Sequence, residues 1–317
     1  MYRNILLIIL LIATYSYGTF NVINPSPRPL GMGNAFVAVA DDINTLYLNP
    51  AGLTNLKTWQ ILFTYSKLYW GVSDLSENFI VGGVSLKEYG SLGVGWYNFN
   101  EPSYYKESII SIGLAYPING LLPSLSVGIN VKLLNRSYIS NVWTSENPYF
   151  KDGLSKSGIS FGTSVYAGII KELSFGLFID DINTPNMALS GEEKVPMVIR
   201  SGFRYSFDKN NFATVEFLHR DNQYKIHFGG ESSQYKTGDF GILSFRIGGG
   251  AGSDSYLNFT LGLGYKFNIP YINIGGEFDY GFLFPIGFAS GTAGTHKFSL
   301  SIMDFHKELM KGVEEVK

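Results

Sequence analysis

Apolar and polar residues alternate strictly along most of the chain. In 125–134, Leu125, Val127, Ile129, Val131 and Leu133 share one face of an extended segment, while Ser126, Gly128, Asn130 and Lys132 share the other. In 257–268, Leu257, Phe259, Leu261, Leu263, Tyr265 and Phe267 oppose Asn258, Thr260, Gly262, Gly264, Lys266 and Asn268. Runs of about ten residues match a tilted strand crossing a bilayer, whereas strands of soluble domains are nearer about five or six. Similar segments fall near 60–69, 77–87, 91–99, 108–116, 125–134, 158–170, 173–181, 197–207, 212–220, 224–232, 240–248, 257–267, 272–280 and 295–303, about fourteen in all. One merged or missed pair would make twelve or sixteen. An even number suits antiparallel closure, and closure leaves no backbone N–H or C=O unpaired in hydrocarbon. The expected fold is all-β: a transmembrane antiparallel β-barrel of about fourteen strands.

The connections carry an orientation. Links after even strands are mostly tight, as at 87–90, 171–172, 208–211 and 268–271, whereas 135–157, 181–196 and 281–294 follow odd strands and are longer. Short turns belong on the periplasmic side of such barrels and long loops outside. The link 221–223 and the turn 116–124 depart from this parity.

Composition agrees with a barrel in lipid. Charged residues are 16% and aromatics 15%, with 37 glycines among 317 residues. A soluble domain carries roughly 25% charge, although composition alone also allows a secreted β-sandwich. A net charge of −2, with scattered basic residues, gives no reason to expect nucleic acid as a partner. The first residues place Arg3 before a nine-residue apolar run, 5–13, followed by small residues at 16–18. This reads as a signal peptide over 1–18, too short to span about 30 Å of hydrocarbon as a helix. There is no cysteine, hence no disulfide framework.

Turning the polar faces inward fills the lumen with charges of both signs: Lys132, Arg200, Arg204, Glu216, Arg220, Arg246, Lys266 and Glu277, with Lys225, Glu231 and Asp279 beside them. Mixed signs argue for a structural network rather than a selectivity filter of one sign. No nucleophile–base set, phosphate loop or metal-ligand spacing accompanies them, and neither an enzyme activity nor a cofactor or metal is expected. The external links carry many rings: Tyr138, Trp143, Tyr149 and Phe150 in one, Phe282, Phe284 and Phe288 in another. These rings suit either an interfacial girdle or contact with a hydrophobic ligand or partner. Phe305, Leu309, Val313 and Val316 suggest a short amphipathic helix in a periplasmic tail, 304–317.

Between signal and strands lies a small, apolar segment punctuated by Gly and Pro. Gly31-Met32-Gly33, the run 35–42 with Phe36, Asp41 and Asp42, and Asn49-Pro50-Ala51-Gly52 ahead of Leu53 resemble the N-terminal signature of FadL-type outer-membrane transporters and the related PorV/PorQ group. Asn34 departs from it, where that family has a glycine. The resemblance implies that 19–56 forms a hatch inside a barrel spanning 57–303, in the bacterial outer membrane. It implies passive uptake of hydrophobic, fatty-acid-like small molecules through movement of the hatch and a gap in the wall, sought near 91–99, where Gly93 and Gly95 tolerate a kink. The alternatives are a PorV-like part in type IX secretion, docking exported proteins, and a structural barrel. Outer-membrane lipid is the partner common to all three.

Overall fold

The computed structural model describes residues 20, 24–71, 74–236, 241–269, 274–287 and 291–304. The expected signal peptide, Phe288 and nearly all of the expected C-terminal tail lie outside them. Among the described residues fourteen strands form one closed barrel: β1 (Trp59–Lys67), β2 (Ser76–Ser85), β3 (Ser91–Glu101), β4 (Tyr105–Pro117), β5 (Ser124–Tyr138), β6 (Ser155–Gly168), β7 (Leu173–Asp180), β8 (Val198–Ser206), β9 (Asn211–Arg220), β10 (Gln223–Lys236), β11 (Gly241–Gly252), β12 (Leu257–Ile269), β13 (Ile274–Pro285) and β14 (Thr295–Asp304). Every neighbouring pair is antiparallel in sequence order, and β1 closes on β14 with Phe63 opposite Leu300 and Tyr65 opposite Phe298. No described helix is long and apolar enough to cross a membrane; this barrel would cross with strands.

Alternation sorts the two faces. On β1, Ile61, Phe63 and Tyr65 are 39–50% exposed on the outer wall, whereas Leu62, Thr64 and Ser66 are buried inside. On β5, Val127, Ile129, Val131 and Leu133 face out and Ser126, Asn130 and Lys132 face in. A barrel whose outer face is apolar and whose inner face is polar has the polarity of a membrane protein.

Two expectations change. β13 runs on to Pro285, so Phe282 and Phe284 are strand residues on its outer face rather than loop residues, and the link that follows is 286–294. β5 and β6 likewise extend to Tyr138 and from Ser155, which leaves 139–154 as the connection. In both cases the ladder continues past the last clear alternation because the neighbouring strand still offers partners. Among the described pairings the register shifts in one place, between Ser232 and Tyr235 on β10 against β11.

Candidate functional site

The chain before β1 folds into short pieces: α1 (Pro27–Gly31), α2 (Thr45–Leu48) and a 3-10 turn over Pro50–Asn55. Pro27 and Pro29 suit the first turn of α1, where a missing N–H costs nothing. So irregular a backbone leaves many N–H and C=O groups without partners of its own, and buried groups of this kind must be satisfied elsewhere. Polar side chains on the inward face of the wall do so. Thr260 accepts from the Gly33 N–H at 3.0 Å, Gln60 from Ile43 at 3.0 Å and Ser164 from Ala51 at 2.8 Å. One Glu216 oxygen accepts from both Phe36 and Val37 at 2.9 Å. Ser174 and Ser126 donate to the carbonyls of Ala38 and Ala51. Residues 24–56 therefore pack against the inner faces of strands all round the barrel.

Glycines on that inner face make the room. A Cβ on Gly176 of β7 would lie 2.0 Å from the Val37 carbonyl oxygen, one on Gly128 of β5 2.3 Å from the Ala51 nitrogen, and one on Gly229 of β10 2.5 Å from the Met32 carbonyl oxygen. Gly93 and Gly95 serve the same purpose against Leu53, Leu46 and Tyr47. β3, which carries both, pairs without interruption with β2 and β4, where a gap near 91–99 was expected.

The expected lumen charges come together with partners. Arg28 reaches Asp41 at 2.6 Å, Asp42 at 2.7 Å and Glu231 at 2.9 Å. Arg246 holds Glu231 at 2.6 Å, Asp279 at 2.5 Å and Glu277 at 3.4 Å, and Lys266 meets Glu277 at 3.2 Å. Arg204 joins through Asp41 at 3.0 Å and stacks over the Phe212 ring. Burial would push the Arg28 guanidinium down and the Asp41 carboxyl up, but their mutual attraction, with Arg204 acting on Asp41, carries Arg28 well above and Asp41 below their ordinary values. Asp42 is pushed up, chiefly by burial. Elsewhere Lys132 pairs with Asp180 and Asp181, Arg200 with Glu216, and Arg220 donates to the Phe20 carbonyl. Arg28 was the residue that the sequence reading missed; its signal was a lone cation in an apolar segment thirteen residues before a pair of aspartates. The wall hydroxyls that cap the segment carried none.

Opposite this cluster the contact is apolar. Ile43, Leu46, Tyr47 and Leu53 pack among Leu62, Phe79, Val81, Tyr97, Ile109 and Leu134, with Tyr47 edge-on to Phe79 at 5.0 Å. Phe36 and Met32 pack with Val39, Leu48 and Phe212. Asn49 donates to the Val37 carbonyl at 2.7 Å, while Pro50 and Gly52 lie buried within the 3-10 turn.

Two cavities flank the segment and share no lining residue. The lower, about 780 Å³, lies where odd strands begin and is lined by Arg28, Asp41, Trp59, Lys266 and Glu277 among others. The upper, about 520 Å³, lies where odd strands finish, among Asn24, Asn34, Glu77, Lys225, His227 and Lys297.

Of the ring residues, Tyr138, Trp143, Tyr149 and Phe150 do meet. Phe150 is the buried hub, 5.0–5.1 Å from each of the other three. Asn141 caps the short helix α3 (Val142–Glu146) that carries Trp143. Phe282 and Phe284 are not part of that group; they stand on the outer face of β13, which is not a neighbour of β5.

Solved structures with this architecture share little sequence with the chain. The CymD monoaromatic hydrocarbon channel superposes with a TM-score of 0.62 at 12% identity, covering 91% of this chain and 99% of that one. The toluene transporter TbuX of Ralstonia pickettii gives 0.59 at 10% identity, covering 91% and 100%. A Pseudomonas aeruginosa FadL homologue gives 0.58 at 12% identity, covering 89% and 98%. At such identities the likeness establishes the fold, and it agrees with the FadL-like resemblance of the N-terminal segment. No curated protein matches the chain. The family model described as type IX secretion system membrane protein PorP/SprF matches residues 42–302, most of the barrel and the end of the segment inside it, and the chain belongs to that family.

Proposed function

We propose that this protein is a stoppered outer-membrane barrel that serves type IX secretion by docking exported proteins or other components of the machinery, and that it does not conduct them through its own lumen. The observation that carries this reading is the seat of residues 24–56: glycine-fitted, hydrogen-bonded around the wall and tied to β10–β13 by ion pairs, it separates the two cavities. The segment acts as the hatch, with Gly31, Met32, Gly33 and Phe36 fitted to the wall and Asp41 and Asp42 holding Arg28. Val142 and Trp143, exposed on the short helix that covers the buried ring of Phe150 at the loop end of β5, supply apolar surface for a partner on the outside.

A lock on the segment tests this. Because the chain has no cysteine, Ala38→Cys with Ser174→Cys introduces one unique pair where the two residues already touch. Docking predicts that a strain carrying the oxidised, locked protein secretes its type IX cargo normally. Loss of secretion that a reductant restores would show instead that the segment must move.

A second reading, passive uptake of hydrophobic molecules, draws on a groove of about 800 Å³ on the outer wall. Phe245, Ile247, Leu261, Leu263 and Phe282 line it near Gly230 and Ser232, close to the register shift of β10. Liposomes containing the protein would then take up a fluorescent long-chain fatty acid faster than empty ones. The docking reading expects no difference.

A further inference from the structure

We infer that the loop-side half of β6 is a docking edge for an extended polypeptide, which adds to the barrel wall there as one further strand antiparallel to β6. The inference deepens the docking reading, and it rests on that reading only in identifying the guest as an exported protein.

The two edges of β6 are unequal. Along one, every residue from Ser155 to Gly168 pairs with β5. Along the other, β7 pairs only with Thr163–Gly168 and then ends at Asp180. The chain leaving β7 supplies a short substitute for a strand. The Ile182 N–H donates to the Phe161 carbonyl at 3.0 Å, the Phe161 N–H donates to the Asn183 side chain at 3.1 Å, and that side chain donates to the Ile159 carbonyl at 2.8 Å. Thr184, at a φ of +40°, then turns the chain away, and it folds inward to bury Met187 against Gly158.

Backbone groups in an antiparallel ladder face alternate edges, so the open edge of β6 receives those of Phe161, Ile159, Ser157 and Ser155. Beyond the Ile159 carbonyl, the Ile159 N–H and both backbone groups of Ser157 and Ser155 have no partner among the described residues. Ser155, Lys156, Ser157 and Ile159 are exposed. About ten strand residues cross the hydrocarbon. Counted from Gly168, the stretch 155–158 therefore stands beyond it, where water tolerates unpaired backbone and a polypeptide can arrive.

An open ladder recognises extended backbone, and a guest strand that pairs with it lengthens the sheet. The stretch 155–159 has neither the Pro nor the register shift that blunts such edges, and its one charge, Lys156, lies on the lumen side of the strand. Val142 and Trp143, on the link that leads into this end of β6, give the guest an apolar neighbour.

The full chain in lipid nanodiscs, with the fluorescein-labelled peptide Thr-Val-Glu-Val-Thr-Val as probe, tests the edge. No secretion assay enters, so the edge can fail while docking through another surface stands. In the free protein the amides of Ser155, Ser157 and Ile159 exchange fast, and those of Lys156 and Gly158, which face β5, exchange slowly. Saturating peptide slows the first three by about tenfold or more, and the same peptide N-methylated at every residue binds at least about tenfold more weakly. Ser157→Pro removes an N–H that faces the guest and none that faces β5, so the barrel still closes while peptide affinity falls by about tenfold or more. Slow exchange of the three amides in the free protein, no slowing by the peptide, equal binding of the N-methylated peptide, or unchanged affinity in the variant would overturn the edge. Should the variant fail to fold, the two peptides compared on the unaltered protein decide.

Discussion

Around α2, the wall of β1–β5 meets the N-terminal segment with Phe79, Tyr97, Ile109 and Leu134; around α1, the wall of β10–β13 meets it with Glu231, Arg246, Glu277 and Asp279. The apolar side holds by burial, which is non-directional and tolerates small shifts. The ionic side is different in kind. Its charges have left water, so the cluster is favourable only while every member keeps its partners, and removing one strands the others. One side thus supplies adhesion and the other supplies position: Arg28 meets Asp41, Asp42 and Glu231 in a single placement of the segment.

Four measurements break or sharpen this contrast. Arg246→Leu leaves Glu231, Glu277 and Asp279 with one buried cation fewer and costs about 3–5 kcal/mol in reversible unfolding from lipid; amide protection falls over 27–42 first. Leu46→Ala, at a position with no exposure, costs about 3 kcal/mol. Its loss of protection falls over 45–55, and its size does not change with salt. Acidity separates the sides next. Asp41 lies below its usual 3.8, so its stabilising contribution is complete above that pH and is lost as pH falls toward its folded value. Asp42 lies above 3.8, so protonating it on the way down relieves its burial. Hydrogen exchange over 27–42, corrected for intrinsic rates, should therefore stay slow to about pH 3.8 and accelerate below it, while 45–55 is unchanged. Lastly, Asp74→Asn removes the partner of Lys67 at a well-exposed site and shifts stability by less than about 0.5 kcal/mol. That variant is the baseline for the others.

Much of the barrel could be read directly. All fourteen expected segments coincide with strands, and Lys132, Arg200, Glu216, Arg246 and Glu277 lie buried on their inner faces. Boundaries were less legible. β13 continues through Phe282 and Phe284 because Phe259 and Leu261 on β12 face them, and a partner strand is not visible from local alternation. Gly93 and Gly95 were marked as special, but two causes compete for a strand glycine, a bend in the strand or a neighbour pressed against it. Only the position of Leu46, Tyr47 and Leu53 decides between them.

The chain by itself determined which residues face lipid and which face the lumen, because period-two alternation is local and the contrast between hydrocarbon and water is large at every strand. Tertiary structure alone decided who meets whom inside. Arg28 and Glu231 lie 203 residues apart, and Gly176 comes against Val37 only once the ring has closed around the segment. Such pairings depend on the registers of many strands together, which no single stretch of sequence contains.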